Sequence, residues 1–485
     1  MKTAKCASII LWIMFFVLPV NLLAQVKEIP VTTSSEEALK FFLEGRDQAE
    51  DLEFVTAAPI FDKAIAKDPD FAMAYLYRSM SGIGGSKVAQ ENMDKAISLA
   101  DKVSEGEKLV ILSYQAGNDG NSEKQKEHLE KLVKLFPSDK RAQLLAGNYY
   151  YFNSNYSNAL PYLEKAAELD KNYAMAYNMI GYCQSALTNY SAAEKAFQTY
   201  IKLKPNKANP YDSYAELLLT MGKYDESIAQ YKKAVELDPV NFGGSLLGIG
   251  HNYIFKGNYK DARKYYQEYF DKAPAASGKF ASLYWKATSY VHEGDIDNAL
   301  KTFDERISLA EKENFPNTVI WSCAFQGEIL TETGKPAEGM KYYKKAYDMT
   351  EKAKLTDAAK KNFALYSVMW NIYGYSAMGE FDKAKAEIEK CRPMVEGSKN
   401  ANEMMMFNSV QAYYELKKGD HNKAMEYYSK ADPEDPFNLY YTALAYSQKG
   451  DKQNAKKLFE KITKSNVNGM NLALVRKRAM EELKK

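Results

Sequence analysis

The chain has 485 residues, of which 46% are apolar and 26% charged, a balance typical of an ordered globular protein rather than a disordered or membrane-embedded one. Its 65 basic and 63 acidic residues nearly cancel, and they cancel fully once Lys2 and Lys5 are set aside. Because there is no basic excess to favour nucleic acid or an anionic membrane surface, no nucleic-acid partner is predicted.

Residues 1–24 have the pattern of a secretory signal sequence. Lys2 and Lys5 form a basic start, residues 9–20 are apolar, and small or apolar residues precede a cleavage position before Gln25. The apolar run is shorter than the about 20 residues that a membrane-spanning helix needs. We therefore expect an exported protein, located in a bacterial periplasm, on the cell surface or in the medium.

A repeated pattern of small and bulky residues runs from residue 38 to about residue 466. Its reference position is alanine in nine of twelve copies. The twelve reference positions are Ala57, Ala89, Gln125, Ala159, Ala193, Ser227, Ala262, Ala299, Gly339, Ala384, Ala424 and Ala455. A bulky residue follows four positions later in every copy, and a small residue often follows three positions after that. This spacing places the three positions on one face of a helix.

Each copy also contains an earlier helix. A small residue recurs twelve positions before the reference position, as at Gly147 and Gly250. Five positions before the reference position glycine recurs, as at Gly257, where it can adopt the left-handed conformation that ends a helix. Proline twelve positions after it, as at Pro205, stops the second helix. Each copy is therefore predicted to be a pair of antiparallel helices.

This combination resembles the tetratricopeptide repeat, which has a period of about 34 residues. The resemblance is strongest in the central copies, where residues 177–181 are followed by Ala193, Phe197 and Pro205. It implies an all-α fold, a right-handed α-solenoid, or superhelix, of antiparallel helix pairs. After Ala262 the spacing of the reference positions rises to 37, 40 and 45 residues, so longer helices or loops are expected there.

The repeat boundaries give the predicted domain organisation. The segments are a signal peptide (1–24), an extended leader (25–37), a regular solenoid (38–274), a solenoid of longer and irregular repeats (275–466) and a C-terminal capping helix (467–485). In the capping helix, Met470, Leu472 and Met480 are expected on the apolar side, and Arg476 and Arg478 on the solvated side.

No motif indicates catalysis or a bound cofactor. The four histidines form no paired zinc-protease motif, and the glycine-rich stretches lack the lysine of a phosphate-binding loop. His251 and His292 come from adjacent copies and could approach each other, but we expect isolated helical histidines to be structural. Cys183, Cys323 and Cys391 are widely spaced and odd in number, so we expect buried apolar residues rather than a metal or redox site. The sequence therefore predicts a non-enzymatic protein without metal or cofactor.

The resemblance implies that ligands bind the concave surface, which the first helices of such repeats line. The inward positions carry mainly aromatic and amide side chains. These candidate partner-binding residues are Asn148, Tyr151, Asn178, Tyr182, Asp212, Glu216, His251, Tyr284, Trp321, Glu328, Tyr366, Tyr373, Tyr413 and Tyr440. Leu144 stands where a lysine would clamp a terminal carboxylate, which disfavours a receptor for C-terminal tails.

The leading hypothesis is an exported, non-catalytic scaffold that binds a protein partner or an extended peptide in the concave groove, with a membrane-associated complex left open as its setting. The alternative is a glycan or nutrient capture protein, in which exposed aromatic rings stack on the sugar rings of an oligosaccharide. A third hypothesis places an enzyme in the irregular C-terminal half. The identity of the ligand and the oligomeric state are not encoded in the repeat.

Overall fold

A computed structural model describes residues 28–398 and 400–485, so the predicted signal peptide lies outside the described residues. Over those ranges the fold is all-α, with 25 α-helices and no strand. The chain divides into two compact units, one ending at Leu187 and the other beginning at Thr188.

Nine α-helices and a short 3-10 turn (Ala100–Lys102) form the described part of the first unit. The helices are α1 (Glu36–Glu50), α2 (Phe54–Lys67), α3 (Ala72–Met80), α4 (Gly85–Leu99), α5 (Glu105–Asn118), α6 (Ser122–Leu135), α7 (Lys140–Phe152), α8 (Tyr156–Leu169) and α9 (Ala174–Ala186).

Sixteen α-helices form the described part of the second unit. They are α10 (Tyr190–Leu203), α11 (Asn209–Thr220), α12 (Tyr224–Leu237), α13 (Ser245–Phe255), α14 (Tyr259–Lys272), α15 (Ala276–Glu293), α16 (Ile296–Lys312), α17 (Pro316–Glu332), α18 (Pro336–Lys352), α19 (Asp357–Ala377), α20 (Phe381–Ser398), α21 (Ala401–Lys418), α22 (His421–Tyr428), α23 (Pro436–Gln448), α24 (Lys452–Lys464) and α25 (Met470–Glu482).

The twelve reference positions all lie on second helices, from Ala57 on α2 to Ala455 on α24, as the spacing predicts. Most are buried, while Ala89 and Gln125 are partly exposed. The first helix of each repeat requires a small residue at its recurring position for a steric reason. A Cβ added at Gly147 would lie 2.5 Å from the side chain of Leu163, the bulky residue of the same repeat. Small and bulky positions therefore interlock within each pair, and successive pairs stack as an α-solenoid within each unit.

The turn inside each repeat follows the same register. The residue five positions before the reference position has a positive φ in all twelve repeats. Glycine occupies most of these positions, but Leu52, Ser154 and Thr188 adopt the same left-handed conformation, with φ of 62°, 57° and 62°. The tight reversal is thus imposed by the packing of the helix pair even where the side chain disfavours it.

Helix length changes along the second unit. The helices α15 to α21 contain 17 to 21 residues, whereas α10 to α14 contain 11 to 14. The lengthening expected after Ala262 is therefore present. The change in helix length begins at α15, next to the predicted boundary at residue 274, whereas the division into compact units falls between Leu187 and Thr188. The boundary at residue 274 stays a prediction.

The described part of the predicted leader 25–37 is held by side chains of the first unit. The backbone N–H of Ile29 donates to Asp139 over 2.8 Å, and that of Thr32 donates to Glu107 over 2.8 Å. Helix α1 begins at Glu36, two residues before the predicted start of the solenoid.

The three described cysteines are free thiols buried among apolar side chains, as predicted. Burial raises the pKa of Cys183 and of Cys391 to about 12. Among the helices described, none combines the length and apolar character needed to span a bilayer.

Candidate functional site

Four predicted partner-binding residues lie in the first unit, Asn148 and Tyr151 on α7 and Asn178 and Tyr182 on α9. The rings of Tyr151 and Tyr182 have centroids 6.4 Å apart and are partly exposed. The side-chain oxygens of Asn148 and Asn178 are buried without a hydrogen-bond partner, and Asn178 is only 3% exposed. A binding role for these four residues stays a prediction.

Two further predicted residues lie on α11 at the start of the second unit. Asp212 accepts a hydrogen bond from the hydroxyl of Ser245 on α13, and burial raises the pKa of Asp212. Glu216, one turn later, is exposed. Glu216 is therefore the more exposed of the two.

The C-terminal helix α25 occupies the inner face of the second unit, which we define as the side of α13, α15 and α17 that carries His251, Tyr284 and Glu328. Helix α25 packs against α15 on one side and against α23 and α24 on the other. Its buried residues are Met470, Leu472, Ala473, Leu474, Val475 and Ala479. Because it is apolar on more than one side, α25 lies between helices of the second unit.

The segment before α25 is fixed to the same face by amide side chains. Asn466 accepts a hydrogen bond from the Tyr224 hydroxyl over 2.8 Å. The amide nitrogen of Asn468 lies 2.9 Å from Nδ1 of His251, and its amide oxygen lies 2.9 Å from Nε2 of His292. The two histidines are therefore bridged by the amide of Asn468. These hydrogen bonds suit two neutral imidazoles. Burial lowers the pKa of His251 to about 3 and that of His292 to about 4.

The prediction of which side of α25 faces solvent is wrong in part. Arg478 pairs with Glu332 of α17, whose side chain is 1% exposed, and Arg476 donates to the carbonyl of Thr463 over 3.0 Å. Met480, expected on the apolar side, is instead 41% exposed. The reason is that α25 has neighbours on several sides, so its two arginines bond to protein acceptors while both stay partly exposed.

Glu332 is the best-paired carboxylate of the inner face. It accepts hydrogen bonds from the hydroxyls of Tyr373 and Tyr441 and from Arg478 at 2.5 Å. The guanidinium of Arg478 also lies 4.4 Å from the ring centroid of Tyr440. One carboxylate therefore connects α17, α19, α23 and α25.

Beyond α25 the inner face opens into a cavity of about 440 Å³, which we call the aromatic cavity. First helices α17, α19, α21 and α23 supply most of its walls. Its main lining residues are Trp321, Phe325, Glu328, Tyr343, Tyr366, Met369, Trp370, Tyr373, Asn402, Met405, Met406, Tyr413, Tyr428, Asp432, Asp435, Phe437, Asn438, Tyr441 and Asn471. A cavity of this size, apolar with a few polar groups, is typical of a ligand site.

The walls are built from contacting rings. Trp321 lies 5.4 Å from Tyr366 and 5.9 Å from Trp370, measured between ring centroids. Trp370 stacks on Tyr343 at 6.0 Å, and Tyr373 lies 4.5 Å from Tyr413. Each ring is fixed by its neighbours, so the cavity exposes rigid aromatic surface.

Glu328 lies on the cavity wall, one helical turn before Glu332. No described residue forms a hydrogen bond or ion pair with its carboxylate. Burial raises the pKa of Glu328 to about 8, and the nearby carboxylates Glu332 and Asp435 add to the shift. Asp435 accepts a hydrogen bond from the amide of Asn471 over 2.7 Å, and burial raises its pKa as well.

A second polar group of the cavity also lacks a partner. Tyr428 of α22 is 6% exposed, and its buried hydroxyl forms no hydrogen bond with the described residues. Burial raises the pKa of Tyr428 well above that of free tyrosine. This hydroxyl can therefore donate a hydrogen bond to a group that enters the cavity, or accept one from it.

The structure brings together five of the fourteen candidate residues in the aromatic cavity, namely Trp321, Glu328, Tyr366, Tyr373 and Tyr413. Tyr284 and His251 instead contact the C-terminal segment, and Tyr440 packs under Arg478 with 3% exposure.

Sequence reasoning missed several cavity residues. Tyr343 and Tyr428 occupy the bulky position of the second helix, which the repeat pattern assigns to packing alone. Asp432 and Asp435 lie in the connection between α22 and α23, outside the repeat positions. Trp370 could have been predicted from the sequence, because it follows Tyr366 by one helical turn on a helix already predicted to face inward.

Sequence profiles described as tetratricopeptide repeat match residues 144–208, 208–241, 247–310 and 438–467. Anaphase-promoting complex subunit 3 of Schizosaccharomyces pombe is 23% identical over 237 residues, which cover 47% of this chain and 34% of that protein. A TPR repeat-containing protein of Methanocaldococcus jannaschii is 23% identical over 330 residues, which cover 65% of this chain and 54% of that protein. The match thus spans about a third to a half of the length of these relatives.

Among solved structures, a crystal structure of MamA protein overlaps 35% of this chain and 91% of its own chain, with 24% identity and a TM-score of 0.31. The profile matches fall on the helix pairs described above, both in the central repeats and in the last one. The chain therefore contains tetratricopeptide repeats.

Proposed function

We propose that this chain is an exported, non-catalytic scaffold that holds a segment of a peptide or protein partner in the aromatic cavity of its second unit. Tetratricopeptide repeat solenoids form protein-interaction scaffolds, and their stacked pairs create extended binding surfaces. The observation that carries the proposal is the cavity itself. It leaves ring faces and an unpaired carboxylate accessible on a wall that the fold holds rigid, and the unpaired hydroxyl of Tyr428 is buried in the same wall.

The energetics favour an occupant. Aromatic side chains concentrate binding energy because they bury a large area and lose few rotatable bonds. Met405 and Met406 border the rings, and methionine adapts its shape to irregular ligands. Met406 is 42% exposed, so it forms part of the mouth of the cavity.

Site-specific photo-crosslinking tests the proposal. A photoreactive amino acid replaces Met406 at the cavity mouth, and the matched control replaces Met480, which is similarly exposed on α25. We expect position 406 to crosslink one defined partner in cells, and position 480 not to. The substitution Trp370→Leu, checked for folding by circular dichroism, should abolish that crosslink. Equal crosslinking from both positions, or no effect of Trp370→Leu, would contradict a site in the cavity.

Export is part of the proposal and is tested separately. It is motivated by the basic and apolar pattern of residues 1–24. Fractionation should recover the protein outside the cytoplasm with residues 1–24 removed, as determined by mass spectrometry of its N-terminus. A protein retained in the cytoplasm with residues 1–24 intact would overturn this part.

A glycan is the second candidate ligand. Three amide side chains, Asn402, Asn438 and Asn471, line the cavity beside the rings, and rings with amides suit the faces and hydroxyls of sugars. Titration with neutral oligosaccharides should then change the fluorescence of Trp321 and Trp370. No change with any glycan tested would remove this candidate.

A further inference from the structure

The aromatic cavity has an unbalanced charge. Three carboxylates line it, those of Glu328, Asp432 and Asp435, and its lining contains no lysine, arginine or histidine. Asp435 receives hydrogen bonds from the backbone of Asn438 and the side chain of Asn471, which are neutral donors. The cavity therefore holds three acidic side chains without a cation to balance them, and because the pKa of Glu328 is raised to about 8, that carboxyl ionises fully at neutral pH when a cation enters.

The nearby cations are engaged elsewhere. Arg478 pairs with Glu332, and the Lys417 ammonium lies 5.2 Å from the ring centroid of Tyr413. Neither residue lines the cavity. Glu328, one turn from Glu332 on the same helix, therefore receives no positive partner from the described residues.

The ring walls complement this charge. The negative face of an aromatic ring attracts a cation, and the attraction is stronger when the pair is shielded from water. Trp370 contacts both Trp321 and Tyr343 along the wall that also carries Glu328. A cation placed there would meet ring faces and a carboxylate together.

We propose that the aromatic cavity binds an organic cation, an ammonium or guanidinium group carried on a lysine or arginine side chain of the partner. This inference rests on the proposed function and names the chemistry that the cavity selects. The cation would pair with Glu328, its alkyl stem would lie against the rings, and the Tyr428 hydroxyl would accept a hydrogen bond from it. A neutral ligand would leave the carboxylate unpaired, and an anionic ligand would be repelled.

The test uses the full chain and pairs of probes that differ in charge. N-acetyl-lysinamide is compared with N-acetyl-norleucinamide, and N-acetyl-argininamide with N-acetyl-citrullinamide, by tryptophan fluorescence and calorimetry. We expect each cationic probe to bind at least tenfold more tightly than its neutral counterpart. Equal binding of the charged and neutral probes would overturn the inference. Free butylamine forms a further arm, since binding as tight as that of the lysine probe would identify free amines as the ligand source.

Two substitutions in the cavity locate the site. Glu328→Gln should weaken binding of the cationic probes at least tenfold, and Tyr428→Phe about threefold. Glu305→Gln, a matched loss of one exposed carboxylate on α16, should leave binding unchanged. Binding that survives Glu328→Gln would contradict the assignment.

The pH dependence supplies a readout that a structural role would not move. The titratable groups facing Glu328 are Glu332 on the same helix, Asp435 before α23, Tyr284 on α15 and Tyr343 on α18. None of them supplies a positive charge at neutral pH. Because the bound cation favours ionised Glu328, binding should release a proton below pH 8, and affinity should rise between pH 6.5 and 8.5 in the wild type but not in Glu328→Gln.

The failures of the two proposals can be told apart. If no cationic probe binds while the Met406 crosslink still captures a partner, the scaffold function stands and the cation inference fails. If cationic probes bind while no partner is crosslinked, the cavity binds small cations and the scaffold proposal fails.

Discussion

The two parts of the inner face of the second unit start from the same repeat pattern and end differently. Along α13 and α15, the inward residues His251 and Tyr284 contact the C-terminal segment of the same chain. Along α17, α19 and α21, inward aromatic residues enclose the aromatic cavity. The difference shows that an inward position in a repeat stays open only where the chain does not fill the groove itself.

The largest expected effect comes from weakening the part of the inner face along α13 and α15 that the C-terminal segment covers, which we call the filled part. Leu472 of α25 is fully buried, so Leu472→Ala should lower the free energy of unfolding by about 2–5 kcal/mol through lost contacts and a cavity. Met480→Ala on the same helix, at a residue 41% exposed, should change it by less than about 0.5 kcal/mol. Urea denaturation measures both. Equal stabilities of the two variants would show that α25 does not pack on the inner face.

The junction between the two parts is the Glu332–Arg478 pair. Arg478→Met should cost about 2–3 kcal/mol, less than a fully buried pair because the Arg478 side chain is 34% exposed. The loss arises because the Glu332 carboxylate stays buried without a cation. In the double variant Glu332→Gln/Arg478→Met, most of that stability should return, as a double-mutant cycle would measure. A purely additive cycle would argue against the pair.

The filled part should also be sensitive to acid. The pKa of a free histidine is about 6.5, whereas burial lowers those of His251 and His292 to about 3 and about 4. Between these values the unfolded chain binds more protons than the folded one. Stability is therefore fully present above pH 6.5 and falls as the pH drops towards 4, by about 1 kcal/mol per histidine from pH 6.5 to 5.5. The side chains facing the two rings are Tyr259, Tyr266, Trp285, Asn468 and Arg476.

Unfolding free energies measured across this pH range test the prediction. His251→Gln should flatten the pH dependence, and the control His421→Gln, at the partly exposed start of α22, should keep it. An unchanged slope in His251→Gln would mean that the buried pair does not set the acid sensitivity.

The smallest expected effect is a difference in stability between substitutions of two tyrosines that line the aromatic cavity. Tyr441 donates to Glu332 over 2.6 Å, so Tyr441→Phe should cost about 1.5 kcal/mol. The Tyr428 hydroxyl has no partner, so Tyr428→Phe should change stability by less than about 0.5 kcal/mol. Thermal unfolding of both variants checks this order. A larger loss of stability for Tyr428→Phe than for Tyr441→Phe would show that the Tyr428 hydroxyl forms a hydrogen bond within the protein, which would contradict its unpaired state.

Local spacing carries much of the fold. The small and bulky positions give the register of the helix pairs, because Gly147 and Leu163 must interlock within one repeat. The turn position is predictable for the same reason, although Leu52 and Thr188 show that packing imposes the left-handed conformation without glycine. The signal sequence and the location of the protein stay predictions.

The sequence by itself determined the repeat, its turns and the inward aromatic residues, since these depend on neighbours within one helix pair. Only the tertiary structure decided which inward residues are covered. Glu328 and Glu332 are one turn apart on α17 and look alike in sequence, yet Glu332 meets Arg478 at a separation of 146 residues and Glu328 meets no cation. That difference depends on where α25 packs, and a repeat of short-range contacts does not encode it.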